Sequence, residues 1–374
     1  MPLRGMSRLA IALAVWLLTL SGAKAVTIDH WTDRAMDLVA QFEGSDFGAI
    51  TTDNDCQGLS LGKRQHTVKG NSVKNIFDEI INLVGRSELE RIVGETMGDK
   101  AGDFILLIDE SIAGQDARLA RVRSWQEVKQ GNRWIDLSEG ECATGSKRSI
   151  APAGLRLKDP FRERIVTFLQ HPTVVRAQRN LISRSGKVAL ERAACWARTA
   201  RNASQPTFQE YLFFFDYLIQ NGDSFTERNT LQSAVLTIQF GKDTLSAKDD
   251  PAVRQKMVQI KEWLEAGFKN MRNAGGGRDH SDYAKENAAK WMARFDEGAV
   301  TKDQVRLAYI GLLRAMLGNN QWAYTAMNRR GTVAFGTGIV NGQNYDAQRL
   351  RELVNDAGAI DESALGSVQC QRRQ

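Results

Sequence analysis

The chain has 374 residues, a formal net charge of +6, a quarter of its residues charged, and only six prolines. Single hydrophobic cores stop growing at roughly 250 to 300 residues, so the length predicts one large domain or two lobes, and two lobes around a cleft is the reading adopted. The cationic surplus is interspersed rather than gathered into a Lys/Arg tract, which excludes a nucleic-acid binder. The lack of internal repeats and low-complexity tracts excludes solenoids and disordered arrays.

Residues 1–25 read as an export signal: Arg4 and Arg8 precede an apolar run from Leu9 to Leu20, and Ala23-Lys24-Ala25 gives the small-x-small cleavage pattern. The run is shorter than the roughly 20 residues of a membrane helix, which favours cleavage after Ala25 over an anchor. Loss of Arg4, Arg8 and Lys24 lowers the charge from +6 to +3, a mild surplus that suits an anionic polymer such as peptidoglycan. The mature chain is expected to be periplasmic or secreted, without a membrane span. In an oxidising compartment Cys56, Cys142, Cys195 and Cys370 are expected to pair; three full pairings are possible and the sequence selects none. A bond at Cys370 would pin the polar tail, residues 366–374, to the domain formed by residues 26–365.

The first element predicted in the mature chain is a helix capped by Thr32, with Ala35, Leu38, Val39 and Phe42 at helical spacing and Gly44 as its stop. Glu43 falls on its last turn. There the negative end of the helix dipole and the neighbouring Phe42 both disfavour a charged carboxylate, which predicts a raised pKa. From Ala49 to Gln65 the pattern becomes polar and Gly-rich and reads as a twisted hairpin carrying Asp53 and Asp55. One acid at a helix end and further carboxylates on a hairpin form the pairing that glycosidic bond cleavage uses.

The remainder is predicted mostly helical, from SVKNIFDEIINLVG (72–85), PFRERIVTFLQ (160–170), Pro172 to Arg201, TFQEYLFFFDYLIQNG (207–222), PAVRQKMVQIKEWLEAGFKNM (251–271), SDYAKENAAKWMARF (281–295) and TKDQVRLAYIGLLRAMLG (301–318). Irregular stretches near 135–157 and 273–277 are candidate joints between lobes. Phe213, Phe214, Phe215 and Tyr217 are expected in the core. Gly336, Gly338 and Gly342 mark a permissive loop that could approach a ligand, or a tight hairpin with VAF (333–335) and IV (339–340) as strands. Arg329 and Arg330 could meet acidic carboxylates or form a surface pair.

Other chemistries fit less well. Gly58-Leu-Ser60-Leu-Gly62 matches a nucleophile elbow, but the flanking residues are too polar for the required strand and too rich in Gly and Lys for the required helix. Cys56 with His66 could suggest a thiol peptidase, whereas a disulfide is the simpler use of Cys56. Asp53-Asn-Asp55 starts like a calcium loop but has Arg64 where the bidentate Glu belongs. His30, His66, His171 and His280 lack ligand spacing, so no metal and no cofactor is expected.

The string FEG…DNDCQGLSLGKRQ resembles the lysozyme superfamily, in which a catalytic Glu closes a helix and a hairpin ends in G-x-x-Q. Its nearest likeness is to lysozyme-like peptidoglycan hydrolases of roughly chitosanase size. LFFFDYLIQNG (212–222) and RRGTVAFGTGIVNGQNYD (329–346) resemble two further segments of that group, with Cys56 in place of a Gly and Asn341 in place of a His. The resemblance implies a mainly α (α+β) lysozyme-like fold with two helical lobes and a small β-hairpin at the active-site cleft. It also implies cleavage of peptidoglycan strands, with Glu43 as general acid and Asp55, or Asp53, as the second carboxylate. Gln57, Ser60 and Gln65 would contact sugars from the hairpin, with Gln220, Asn221 and Tyr345 facing them; Gln220 and Asn221 could equally be a helix terminus. If neither Asp reaches the bond, Glu43 alone would suit a lytic transglycosylase. A chitosanase-type hydrolase and a non-catalytic wall-binding protein on a degenerate lysozyme fold remain alternatives.

Overall fold

The computed structural model describes residues 25–43, 46–52, 58–137, 154–221, 245–266, 279–316, 320–346 and 357–366, with single positions between 348 and 370. The expected leader, the tip of the first hairpin, the candidate joint near 273–277 and all but the ends of the one near 135–157 lie outside these residues.

The protein is mainly helical with small antiparallel sheets. Helix α1 (Ile28–Glu43) buries Trp31, Ala35, Met36, Leu38, Val39 and Phe42, the face that helical spacing predicts. It starts five residues earlier than a Thr32 cap implies, because Thr27 Oγ1 accepts the amide of His30 and serves as the cap. Thr32 lies inside the helix, where its hydroxyl bonds the Ile28 carbonyl at 2.8 Å and the Tyr211 hydroxyl at 2.8 Å.

Three two-residue strands follow, β1 (Ile50–Thr51), β2 (Ser60–Leu61) and β3 (His66–Thr67), all antiparallel in the order β1-β2-β3. The expected hairpin is therefore one edge strand and the central strand of a three-stranded sheet. Next come α2 (Val73–Val84), α3 (Arg86–Met97), α4 (Ala101–Ile112) and α5 (Ala117–Ser124). Strands β4 (Gln126–Gln130), β5 (Arg133–Asp136) and β6 (Leu155–Leu157) form a second sheet in the order β5-β4-β6. Then α6 (Phe161–Gln170) leads into α7 (Pro172–Ala200), whose 29 residues span about 43 Å at the helical rise.

Helix α7 joins two hydrophobic cores. Its Val174, Ala177 and Leu181 pack with the first sheet, α2–α6 and Trp125, whereas Ile182, Ala189, Leu190, Ala193, Ala194 and Trp196 belong to the second core. That second core gathers α1, α8 (Phe208–Asn221), α9 (Pro251–Ala266), α10 (Asp279–Asp296), α11 (Lys302–Met316), α12 (Asn320–Phe335) and the hairpin of β7 (Gly338–Val340) and β8 (Gln343–Tyr345). Phe213, Phe214 and Phe215 are part of it and Tyr217 is also buried, as large aromatics on an apolar helix should be. The VAF segment is not a strand. Val333, Ala334 and Phe335 form the buried last turn of α12, and their apolar character serves helix packing.

The C-terminal segment straps the second core. Val26 bridges Ile360, the Trp31 indole donates to the Ala357 carbonyl at 3.0 Å, and Cys195 on α7 is bonded to Cys370. The polar tail is thus attached, as a bonded Cys370 requires; Cys56 and Cys142 lie outside the described residues. No helix among the described residues is long and apolar enough to cross a membrane.

Candidate active site at the end of the first helix

The last carbonyls of a helix have no intrahelical partner and need one from elsewhere. At the end of α1 that partner comes from a distant part of the chain: Asn341 Nδ2 donates to the Phe42 carbonyl at 2.6 Å. Asn341 (φ 50°) and Gly342 (φ 81°) form the two-residue turn between β7 and β8, with both residues left-handed, the conformation that Asn-Gly favours in tight hairpins. The turn thereby aims the Asn341 amide at the residue before Glu43.

The Phe42 ring is fully buried and held from two sides. Tyr345 on β8 meets it edge-on with centroids 4.9 Å apart, and the Arg329 guanidinium stands 5.3 Å from its centroid. Arg329 donates from Nε (3.1 Å) and Nη2 to Asp216 Oδ1 on α8, and neither residue is more than 2% exposed. A buried carboxylate on an apolar helix needs such a partner, because an unpaired charge there is costly. Neighbouring Arg330 is also buried; it donates to Gln220 Oε1 at 3.0 Å and lies 4.6 Å over the Tyr217 ring. Burial pushes the Arg330 guanidinium down to about 10, against the pull of Asp216, and pushes the Tyr217 hydroxyl up to about 12. The two arginines are therefore buried and internally engaged, which corrects the surface-pair expectation.

The other flank is the first sheet. Thr51 Oγ1 donates to Gln65 Oε1 at 2.7 Å, and the Gln65 amide closes a turn onto the Gly62 carbonyl. Gly62 has φ 76°, and a β-carbon there would sit 2.2 Å from Gln178 Oε1, so the first residue of the G-x-x-Q ending must be glycine. Gln178 on α7 is buried and clamps both loops: it accepts the Lys63 amide at 3.0 Å and donates to the Phe47 carbonyl at 3.2 Å. From the same turn Lys63 pairs with Asp37 on α1, and Arg64 donates to Ser185 Oγ on α7 (2.8 Å) and to the Leu218 carbonyl on α8 (3.4 Å). The 62–65 turn thus fastens the sheet to the second core beside the α1 terminus.

Among the site residues expected from sequence, Glu43 is the last residue of α1; its side chain, and residues 53–57 with Asp53, Asp55 and Gln57, lie outside the described part. Ser60 sits on β2 between Thr51 and Thr67, partly exposed. With strands on both sides and a turn after it, Ser60 does not occupy a strand-to-helix elbow. Asn221 ends α8, its side chain undescribed, and Gln220 faces Arg330. Tyr345 is corrected: at 1% exposure, with its hydroxyl bonded to Gln343, it supports Phe42 rather than facing a ligand.

His66 is also buried. Its Nδ1 donates to the Ser72 carbonyl at 3.0 Å, and burial, with Arg64 nearby, pushes the imidazole down to about 3. It is a neutral core histidine. Sequence reading did not assign the roles of Asp216, Asn341, Arg64 and Gln178. The Asn-Gly pair and an acid inside an aromatic helix were the available signals; nothing in the sequence marks Gln178.

No protein-family model matches the chain, and no curated protein and no solved structure shows significant similarity to it.

Proposed function

We propose that this chain is an exported glycosidase of the lysozyme-like kind, cleaving the glycan strands of peptidoglycan with Glu43 as general acid. The observation that carries the reading is convergence. The three segments resembling lysozyme-like hydrolases (FEG with GKRQ, FDYLIQNG, and RRGTVAFGTGIVNGQNYD) are far apart in sequence, and all touch the C-terminal end of α1 or the elements beside it.

In this reading Glu43, at the negative end of the α1 dipole, stays protonated and gives its proton to the leaving glycosidic oxygen. The Asp55 or Asp53 carboxylate then holds a water, for an inverting reaction at about 6.5 to 9.5 Å from Glu43, or attacks directly at about 5 to 5.5 Å. Attack of the muramic sugar's own 6-hydroxyl on the anomeric carbon in place of water, with its proton passing to the Glu43 carboxylate as the glycosidic bond breaks, would make the reaction a lytic transglycosylation. The Asn341 departure is compatible with activity, because donating to the Phe42 carbonyl requires an amide N–H and no proton exchange.

The test is release of soluble muropeptides from purified sacculi. Wild type is expected to release them and Glu43→Gln to release none, with the same melting temperature. Reducing ends in the products indicate hydrolysis and anhydro-sugars transglycosylation. Unchanged release by Glu43→Gln overturns the assignment; cleavage of chitosan with sacculi left intact moves the reading to the chitosanase type.

A further inference from the structure

A cavity of about 300 Å³, at the small end of the range for ligand pockets, lies where α1, α7 and the 62–65 turn meet. None of its lining residues belongs to the set assigned above to the glycan.

Its charges are sorted. Asp29 and Asp33 stand one turn apart on the first half of α1, both exposed, with Asp29 accepting from Ser183 Oγ on α7 at 3.1 Å. Elsewhere on the wall the Phe47 ring carries two cations, Lys63 Nζ at 5.1 Å and the Arg179 guanidinium at 5.4 Å from its centroid. Lys63 pairs with Asp37, one turn beyond Asp33 on α1, while Arg179 lies one turn before Ser183 on α7. Carboxylates thus run along the α1 wall, with Asp37 holding Lys63, while on α7 Arg179 stands one turn, about 6 Å of helical rise, from the Ser183 that bonds Asp29. Among the described residues Asp33 and Arg179 form no ion pair, so each end keeps a charged group available.

A carboxylate and a guanidinium on one concave wall, separated and joined by an aromatic floor, match a ligand of the opposite polarity. We propose that this pocket binds a short zwitterionic peptide of dipeptide size. Its ammonium lies at Asp29 and Asp33, its carboxylate at Arg179, and its body along the wall between them. A 6 Å offset exceeds the charge separation in a single α-amino acid and suits two residues; charge-assisted hydrogen bonds at both ends supply specificity. The inference does not rest on the glycan-cleaving reading.

Calorimetric titration of the full chain with alanyl-alanine, its N-acetyl derivative and its C-terminal amide tests it. Alanyl-alanine is expected to bind saturably, and each blocked peptide about tenfold more weakly. Arg179→Gln should remove the discrimination against the amide while keeping that against the N-acetyl peptide, and Asp33→Asn should do the reverse. Both positions are exposed on helices, and an unchanged melting temperature verifies the fold. Absence of saturable binding by alanyl-alanine overturns the proposal, as does discrimination that survives both substitutions.

Discussion

On one side of the α1 terminus, Asp216, Arg329 and Arg330 are at most 2% exposed and engage one another or Gln220 inside the second core. On the other side, the 62–65 turn is only partly buried and reaches that core through the ends of two long side chains, Lys63 and Arg64, and through Gln178. The first wall is fixed by burial, so disturbing it costs folding energy. The second hangs from a few polar contacts, so disturbing it should move the hairpin acids while costing the fold little.

Asp216→Ala tests the first wall most severely. It strands the buried Arg329 charge and should cost about 3–5 kcal/mol in urea unfolding, whereas Asp216→Leu combined with Arg329→Met should recover most of that loss. Equal losses in the single and double variants would break the burial argument.

The first sheet has its own buried group. The folded His66 pKa of about 3 lies below the unfolded value near 6.5, so the unfolded state binds more protons between these values. Stability contributed by neutral His66 is fully present above about 6.5 and is lost as pH falls towards 3. The unfolding free energy from urea titration should therefore drop between pH 7 and pH 5, by on the order of 2 kcal/mol, and His66→Gln should flatten that slope.

Asn341→Gly keeps the left-handed turn and removes only the bond to the Phe42 carbonyl, so thermal melting should report a loss of about 1 kcal/mol. Arg64→Met should cost still less, below about 1 kcal/mol, because the site is part-exposed. Yet it should reduce muropeptide release several-fold by loosening the turn that carries Gln65. A large stability loss with unchanged release would reverse the contrast between the two walls.

Most helices were legible in the sequence, because 3.6-residue periodicity is a local property and Pro172 to Ala200 or Phe208 to Asn221 show it directly. Boundaries set by distant partners were not. Thr32 has the chemistry of a cap, but a hydrogen bond to Tyr211, 179 positions away, goes with its place inside the helix. Val333 to Phe335 suit a strand by composition and fold as a helix end because the second core packs them there. At the candidate site, Glu43 was readable as a helix terminus, whereas burial of Tyr345, Arg329 and Arg330 was not, since an aromatic and two cations look the same in sequence whether exposed or enclosed.

The sequence by itself thus determined the helical periods, the break after Glu43, the polar hairpin and the Asn-Gly turn, all of which depend on neighbours a few residues apart. Only the tertiary structure decided that the Asn341 amide meets the Phe42 carbonyl, that Asp216 neutralises Arg329, and that Gln178 clamps two loops. These pairings join residues more than a hundred positions apart, and their energies come from excluding water around groups that must then satisfy each other.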